Sequence, residues 1–155
     1  MLKRGLRAYP QVPGRFRVIN MKKILIIDAQ GGGIGRQLVK AIKEEVQEAH
    51  VIAVGTNIAA TQAMLKAGAD EAATGENSVV VASRKADIIV GPIGILITDS
   101  MMGEITERMA SAVSRSDALR ILIPFNNCFN IVAGVGDKTT AELISQAVEE
   151  VKKNL

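Results

Sequence analysis

The sequence predicts an α/β protein: a single Rossmann-like domain, with a mostly parallel sheet and helices on both faces. Three observations carry this. Short, continuous apolar runs (Ile24 to Ile27, Val51 to Val54, Ile88 to Val90) have the character of strands buried on both faces. Segments with apolar residues at every third or fourth position alternate with them, as in amphipathic helices. The connections are short, and no internal repeat or linker interrupts them after Met21, which fits successive βαβ units. A chain of 155 residues suits one domain.

The elements follow in order. Ile24 to Ile27 is the first strand, closed by Asp28 and a glycine cluster. Ile34, Leu38, Ile42, Val46 and Ala49 form the stripe of a helix. Val51 to Val54 is the second strand, stopped by Gly55. Asn57 caps a helix that carries Ile58 and Leu65 and ends at Gly68. A brief strand spans Glu71 to Ala73. Thr74 to Asn77 offer caps for a helix to about Lys85, although Val79-Val80-Val81 also suits an extended chain. Ile88 to Val90 is a strong strand, broken by Gly91-Pro92-Ile93-Gly94. Ile105, Met109 and Ala112 mark a helix from Gly103 to Ser114. Ile121 to Phe125 is a further strand, followed by an Asn126-Asn127 turn. Ile131 to Val135 reads as a last strand. Thr139 and Glu142 form a capping box ahead of a helix carrying Leu143, Ile144, Ala147, Val148 and Val151.

Charge is unevenly placed. The formal net charge is +3, with 19 basic and 16 acidic residues. Residues 1–20 hold five of the basic residues and no acid, so residues 21–155 have 14 basic against 16 acidic, a net of −2. The basic excess therefore belongs to the leader, and it is not the footprint of a nucleic-acid-binding domain. The leader carries Pro10, Pro13 and Tyr9, shows no periodicity and lacks the apolar core of a secretory signal. It is expected to lie outside the fold, as sequence upstream of a start at Met21. The longest charge-free apolar stretch, Ile88 to Thr98, is well short of the ~20 residues of a membrane span. One Cys excludes a disulfide framework, and one His excludes a His-rich metal centre. With no Trp and three Phe there is little for bases to stack on.

In open α/β sheets, ligands bind beyond the carboxyl ends of the strands, where strand order reverses. That rule collects Asp28, Gln30, Gly31, Gly32, Gly33, Ile34 and Gly35 after the first strand. It adds Thr56 and Asn57 after the second, Gly91, Pro92 and Ile93 after the Ile88 strand, and Asn126 and Asn127 after the Ile121 strand. The glycine loop is the strongest signal. Four glycines between a buried strand and a helix start let backbone approach an anion, and free N–H groups and the helix dipole favour a phosphate. The competing reading is a tight strand-to-helix turn without a ligand. A side chain at Gly33 is expected to need a positive φ or to block the approach.

Familiar chemistries fail on residues. The spacing departs from Gly-x-Gly-x-x-Gly at Arg36. The run Ala29 to Gly35 resembles the loop of short-chain dehydrogenases, but the catalytic Tyr of that family has no counterpart, since Tyr9 lies in the leader. Gly35-Arg36-Gln37 is not a P-loop ending, and Gly134 to Thr140 has Asp137 where a glycine is needed. No ribose-binding acid follows the second strand, where Gly55-Thr56-Asn57 stands. Asp28 has two readings, as a group holding a metal or orienting a ligand hydroxyl, or as an acceptor for the loop's own N–H groups; the second is favoured, since an acid facing a phosphate needs a cation. Cys128 is a loop cysteine with no neighbouring base, and His50 starts the second strand at the end away from the rim.

Several separate blocks, Asp28 to Gly35, Val54 to Asn57, Ala60-Thr61 with Met64 to Asp70, Ala73 to Asn77, Gly91 to Gly94 and Gly103 to Thr106, resemble a bacterial domain of unknown function, number 3842. The resemblance runs from about Met21 to Leu155. It implies a small cytoplasmic bacterial protein with no assigned reaction and transfers no activity.

The residues thus support a nucleotide- or phosphate-ligand-binding module without independent catalysis, its ligand a nucleotide or dinucleotide of unknown identity. The alternative is a minimal NAD(P)-dependent oxidoreductase or a transferase on the same loop, using Asp28, Thr56, Asn127 and Cys128. A third reading is an interaction subunit, since sheet edges and apolar helix faces commonly pair in a homodimer.

Overall fold

The computed structural model describes residues 21–124 and 130–155. The elements run β1 (Lys23–Asp28), α1 (Gly33–Glu45), β2 (His50–Gly55), α2 (Ile58–Lys66), β3 (Glu71–Thr74), α3 (Glu76–Ser83), β4 (Ile88–Pro92), a 3₁₀ turn (Ile93–Leu96), α4 (Glu107–Ser114), β5 (Leu119–Ile123) and α5 (Thr140–Lys153). All strand pairings among the described residues are parallel, in the order β3-β2-β1-β4-β5. This is the Rossmann-like α/β arrangement.

Alternation of side chains along β1 divides the core in two. Ile24 and Ile26 face Leu38 and Ile42 of α1, Met64 of α2 and Ile144 and Val148 of α5. Leu25 and Ile27 face Val79 of α3, and Met109 and Val113 of α4. Both faces of the sheet are therefore covered, and Ile24 to Ile27 are fully buried, as a continuous apolar run in a parallel sheet requires. No helix among the described residues is long and apolar enough to cross a membrane.

The end signals act as their chemistry predicts. The Asn57 side chain accepts from Ala60 N to cap α2. Thr139 and Glu142 form the reciprocal capping box of α5. His50 sits at the amino end of β2, its Nε2 2.9 Å from Glu71 Oε1, at the end of the sheet opposite the strand carboxyl termini.

Several boundaries differ from expectation. Ile131 to Val135 is not a strand: Gly134 (φ 86°) and Gly136 (φ 65°) are left-handed, and Ile131 is almost wholly exposed. The fifth strand is Leu119–Ile123, starting two residues before the expected Ile121 because β4 pairs it from Ile88–Leu119 onward, and the expected end at Phe125 lies outside the described residues. β4 itself continues through Pro92, paired to Ile123, so the break comes at the 3₁₀ turn. α4 begins at Glu107: Gly103 is left-handed and Thr106 is the cap, accepting from Met109 N. The N-cap of α3 is Gly75, without a side-chain cap. The leader, residues 1–20, and the Asn126-Asn127-Cys128 turn lie outside the described residues.

Candidate functional site

β1 connects outward to β2 and β3 on one side of the sheet, and β4 to β5 on the other, so strand order reverses between β1 and β4. A cavity of about 720 Å³ lies at their carboxyl ends. A somewhat larger groove, about 840 Å³, runs between α3 and α4, but it is lined by those helices and their flanks rather than by strand ends. Ligands of open α/β sheets gather at the reversal point, so the first cavity is the candidate site.

Of the residues predicted for the site, Asp28, Gln30, Gly31, Gly33, Ile34 and Pro92 line this cavity. Gly31 and Gly33 are exposed, with open space where a Cβ would stand. Gly32, Gly35 and Gly91 do not line it, and each is needed for packing. Gly32 is left-handed (φ 68°), and a Cβ there would lie 2.8 Å from Ala60 Cα. At Gly35 a Cβ would meet Met64 Sδ at 2.5 Å, and at Gly91 the Ile27 carbonyl oxygen at 2.5 Å. The positive φ expected of Gly33 is thus at Gly32, where the chain turns from loop into α1. Thr56, Asn57 and Ile93 also stand outside the cavity lining, and Asn126 and Asn127 fall outside the described residues.

Asp28 is buried at the floor. Its Oδ1 accepts from Ala29 N at 2.8 Å and its Oδ2 from Gly35 N at 2.7 Å. The N-cap of α1, Gly32, has no side chain, so the carboxylate at the end of β1 satisfies the third helical N–H in its place. Burial pushes the Asp28 carboxyl above its ordinary range, outweighing the bonds from Gly35, Ala29 and Ile34 N–H, and the charge of Glu104 pushes the same way.

Glu104, which sequence reasoning did not assign to the site, braces its loops from outside the cavity lining. Its Oε2 accepts from Gln30 N (2.8 Å), from the Thr56 hydroxyl and from Asn57 Nδ2 (3.0 Å). Asn57 Nδ2 also donates to Gln30 O at 2.9 Å. One carboxylate thereby ties the loops after β1 and β2 to the loop before α4. Burial would raise its pKa, but the bonds from Thr56, Gln30 and Asn57 together hold it below the usual carboxylate value. A lowered carboxyl pKa contributes stability that is present above the ordinary value of 4.5 and is lost as pH falls through the folded value. Glu104→Gln is expected to cost about 1–2 kcal/mol near neutral pH. The gap to wild type should close as urea midpoints are followed down toward about pH 2. A gap independent of pH would show that the charge on Glu104 does not hold the loops.

The far wall comes from the segment after the 3₁₀ turn. Asp99 (φ 62°), Met101 (φ 52°), Met102 (φ 59°) and Gly103 (φ 83°) are all left-handed. Asp99 N donates to Ile105 O at 2.8 Å, and the buried Ser100 hydroxyl donates to Gly94 O, fixing the turn. Ile97 and Met101 line the cavity, as does Met102, which is 93% exposed. Nothing in a pair of methionines signals a left-handed backbone, although Gly103 directly after them hints at a tight turn. Among the described residues no group of three or more His, Cys, Asp or Glu is placed to hold a metal ion.

The model of a family described as a domain of unknown function (DUF3842) matches residues 23–155. The chain belongs to this family. No curated protein matches this DUF3842 chain. Among solved structures it is similar to an FMN-dependent Ubix-like decarboxylase from Escherichia coli O157:H7, described as dodecameric, at 13% identity and a TM-score of 0.43, over 86% of this chain and 92% of that one. It is similar also to a nucleoside-diphosphate-sugar epimerase from Pseudomonas aeruginosa, at 13% identity and a TM-score of 0.43, over 84% of this chain and 46% of that one. A universal stress protein from Archaeoglobus fulgidus gives 20% identity and a TM-score of 0.36, over 66% and 97%. At these similarities none of the neighbours' chemistry carries over to the DUF3842 domain.

Proposed function

We propose that this DUF3842 domain binds a small nucleotide-type ligand in the switch-point cavity, with a phosphate seated over the Gly31–Gly33 edge. One observation carries the reading: the two exposed glycines whose Cβ positions are empty form a wall of the cavity between β1 and β4. The edge leads into the amino end of α1, where backbone N–H groups favour an anion. A volume of about 720 Å³ falls within the range of ligand pockets.

Binding fits the geometry better than turnover. Both Asp28 oxygens accept backbone N–H groups, so the carboxylate is engaged in holding the loop. The Thr56 hydroxyl donates to Glu104 and stands outside the cavity lining. An oxidoreductase or transferase built on Asp28, Thr56, Asn127 and Cys128 therefore finds one of these residues, Asp28, at the cavity among those described.

Thermal denaturation in the presence of mononucleotides, dinucleotides and acyl-CoA, each at millimolar concentration, tests the proposal. A ligand present at a hundred times its Kd adds about 2.7 kcal/mol to stability, so a rise in Tm of several degrees is expected for at least one compound. An unchanged Tm across the whole set would remove the binding reading.

A further inference from the structure

Resting on that reading, we infer that the cavity takes a nucleoside or a nucleoside monophosphate and discriminates against ligands that carry a diphosphate. Among the described residues no Lys or Arg lines the cavity, while two carboxylates do, Asp28 and Asp99. A third, Glu104, is bonded to the backbone of the lining residue Gln30 and is held ionised by its donors.

The two helix starts at the cavity are also already matched with acids. Asp28 takes the Gly35 N–H of α1. Thr140, the first residue of α5, lines the cavity, and the Thr139–Glu142 box caps that helix. Their positive poles are thus partly neutralised from within. A diphosphate would bring further negative charge against these carboxylates, with no lining cation among the described residues to offset it. The single phosphate of a monophosphate would sit at the Gly31–Gly33 edge, where the Cβ positions of Gly31 and Gly33 are empty. The rest of the wall suits an uncharged body: Ile97, Pro92, Met101 and Met102 offer apolar and thioether contact to a ring, and Thr98 and Gln37 offer polar groups to hydroxyls.

Calorimetric titration of the full chain with adenosine, AMP, ADP, ATP and NAD, and with the parallel uridine series, tests this at low ionic strength without magnesium. Adenosine or AMP, or their uridine counterparts, should bind tightest, with affinity falling about threefold or more for each phosphate added beyond the first. Asp99→Asn keeps a residue type that tolerates positive φ. It should raise the affinity for ADP relative to that for the nucleoside about threefold. ADP or ATP binding more tightly than AMP would overturn the inference and leave the ligand reading standing. So would an Asp99→Asn variant that strengthens nucleoside and diphosphate equally. Absence of binding by every compound in both series would overturn the two together.

Discussion

Gly91→Ala is expected to cost more than about 4 kcal/mol and to leave little folded protein, although it adds a single methyl group. That methyl would stand 2.5 Å from the Ile27 carbonyl oxygen and 3.1 Å from Ile95 Cδ1. Ile27 belongs to the central strand and is itself fully buried, so the carbonyl cannot retreat. The clash is with backbone, and repacking a side chain does not relieve it. Urea unfolding monitored by circular dichroism checks this. A midpoint within experimental scatter of wild type would mean that β1 and β4 do not approach at Gly91 as described.

Gly33→Val is expected to abolish ligand binding while folding nearly as well as wild type. A Cβ at Gly33 meets nothing within 4 Å, and Gly33 lines the cavity. The stability change should stay below about 1 kcal/mol, because the position is exposed and Val is no poorer a helix former than Gly. Gly32→Val makes the opposite case. There φ is 68° and Ala60 Cα lies 2.8 Å from the new Cβ, so the loss should be about 3 kcal/mol, from left-handed strain together with overlap. Calorimetric titration of the folded Gly33→Val variant, using the compound that shifts wild type most, gives the decision. Wild-type affinity in that experiment would leave the glycine loop as a packing device with no ligand.

The central strands were legible because a parallel sheet covered on both faces requires unbroken apolar runs, and Ile24 to Ile27 and Ile88 to Val90 are such runs. The caps at Asn57 and Thr139 were legible because their chemistry is local. So was the engagement of Asp28 with its own loop, since the partners Ala29 and Gly35 are close in sequence. The choice of left-handed glycine was not legible: in Gly31-Gly32-Gly33 each residue can take that conformation, and contact with Ala60 of α2 decides among them. Glu104 was hidden for a related reason. Its partners Gln30, Thr56 and Asn57 lie 74, 48 and 47 residues away, and a distant pairing leaves no periodicity. Ile131 to Val135 failed as a strand because apolar composition says nothing of a neighbour to pair with, and the two left-handed glycines turn the chain away.

The sharing of the Glu104 carboxylate by three loops bears on how the rim moves. Loops that follow separate strands ordinarily fluctuate on their own. Here opening any one of them leaves the acid short of a donor, so their fluctuations are coupled. Amide hydrogen exchange at Gln30, on an exposed residue, should then be slow, and it should quicken together with the amides around Asn57 when Glu104 is replaced. A rim ordered in this way before any ligand arrives has lost its conformational freedom during folding, so association has less left to restrain.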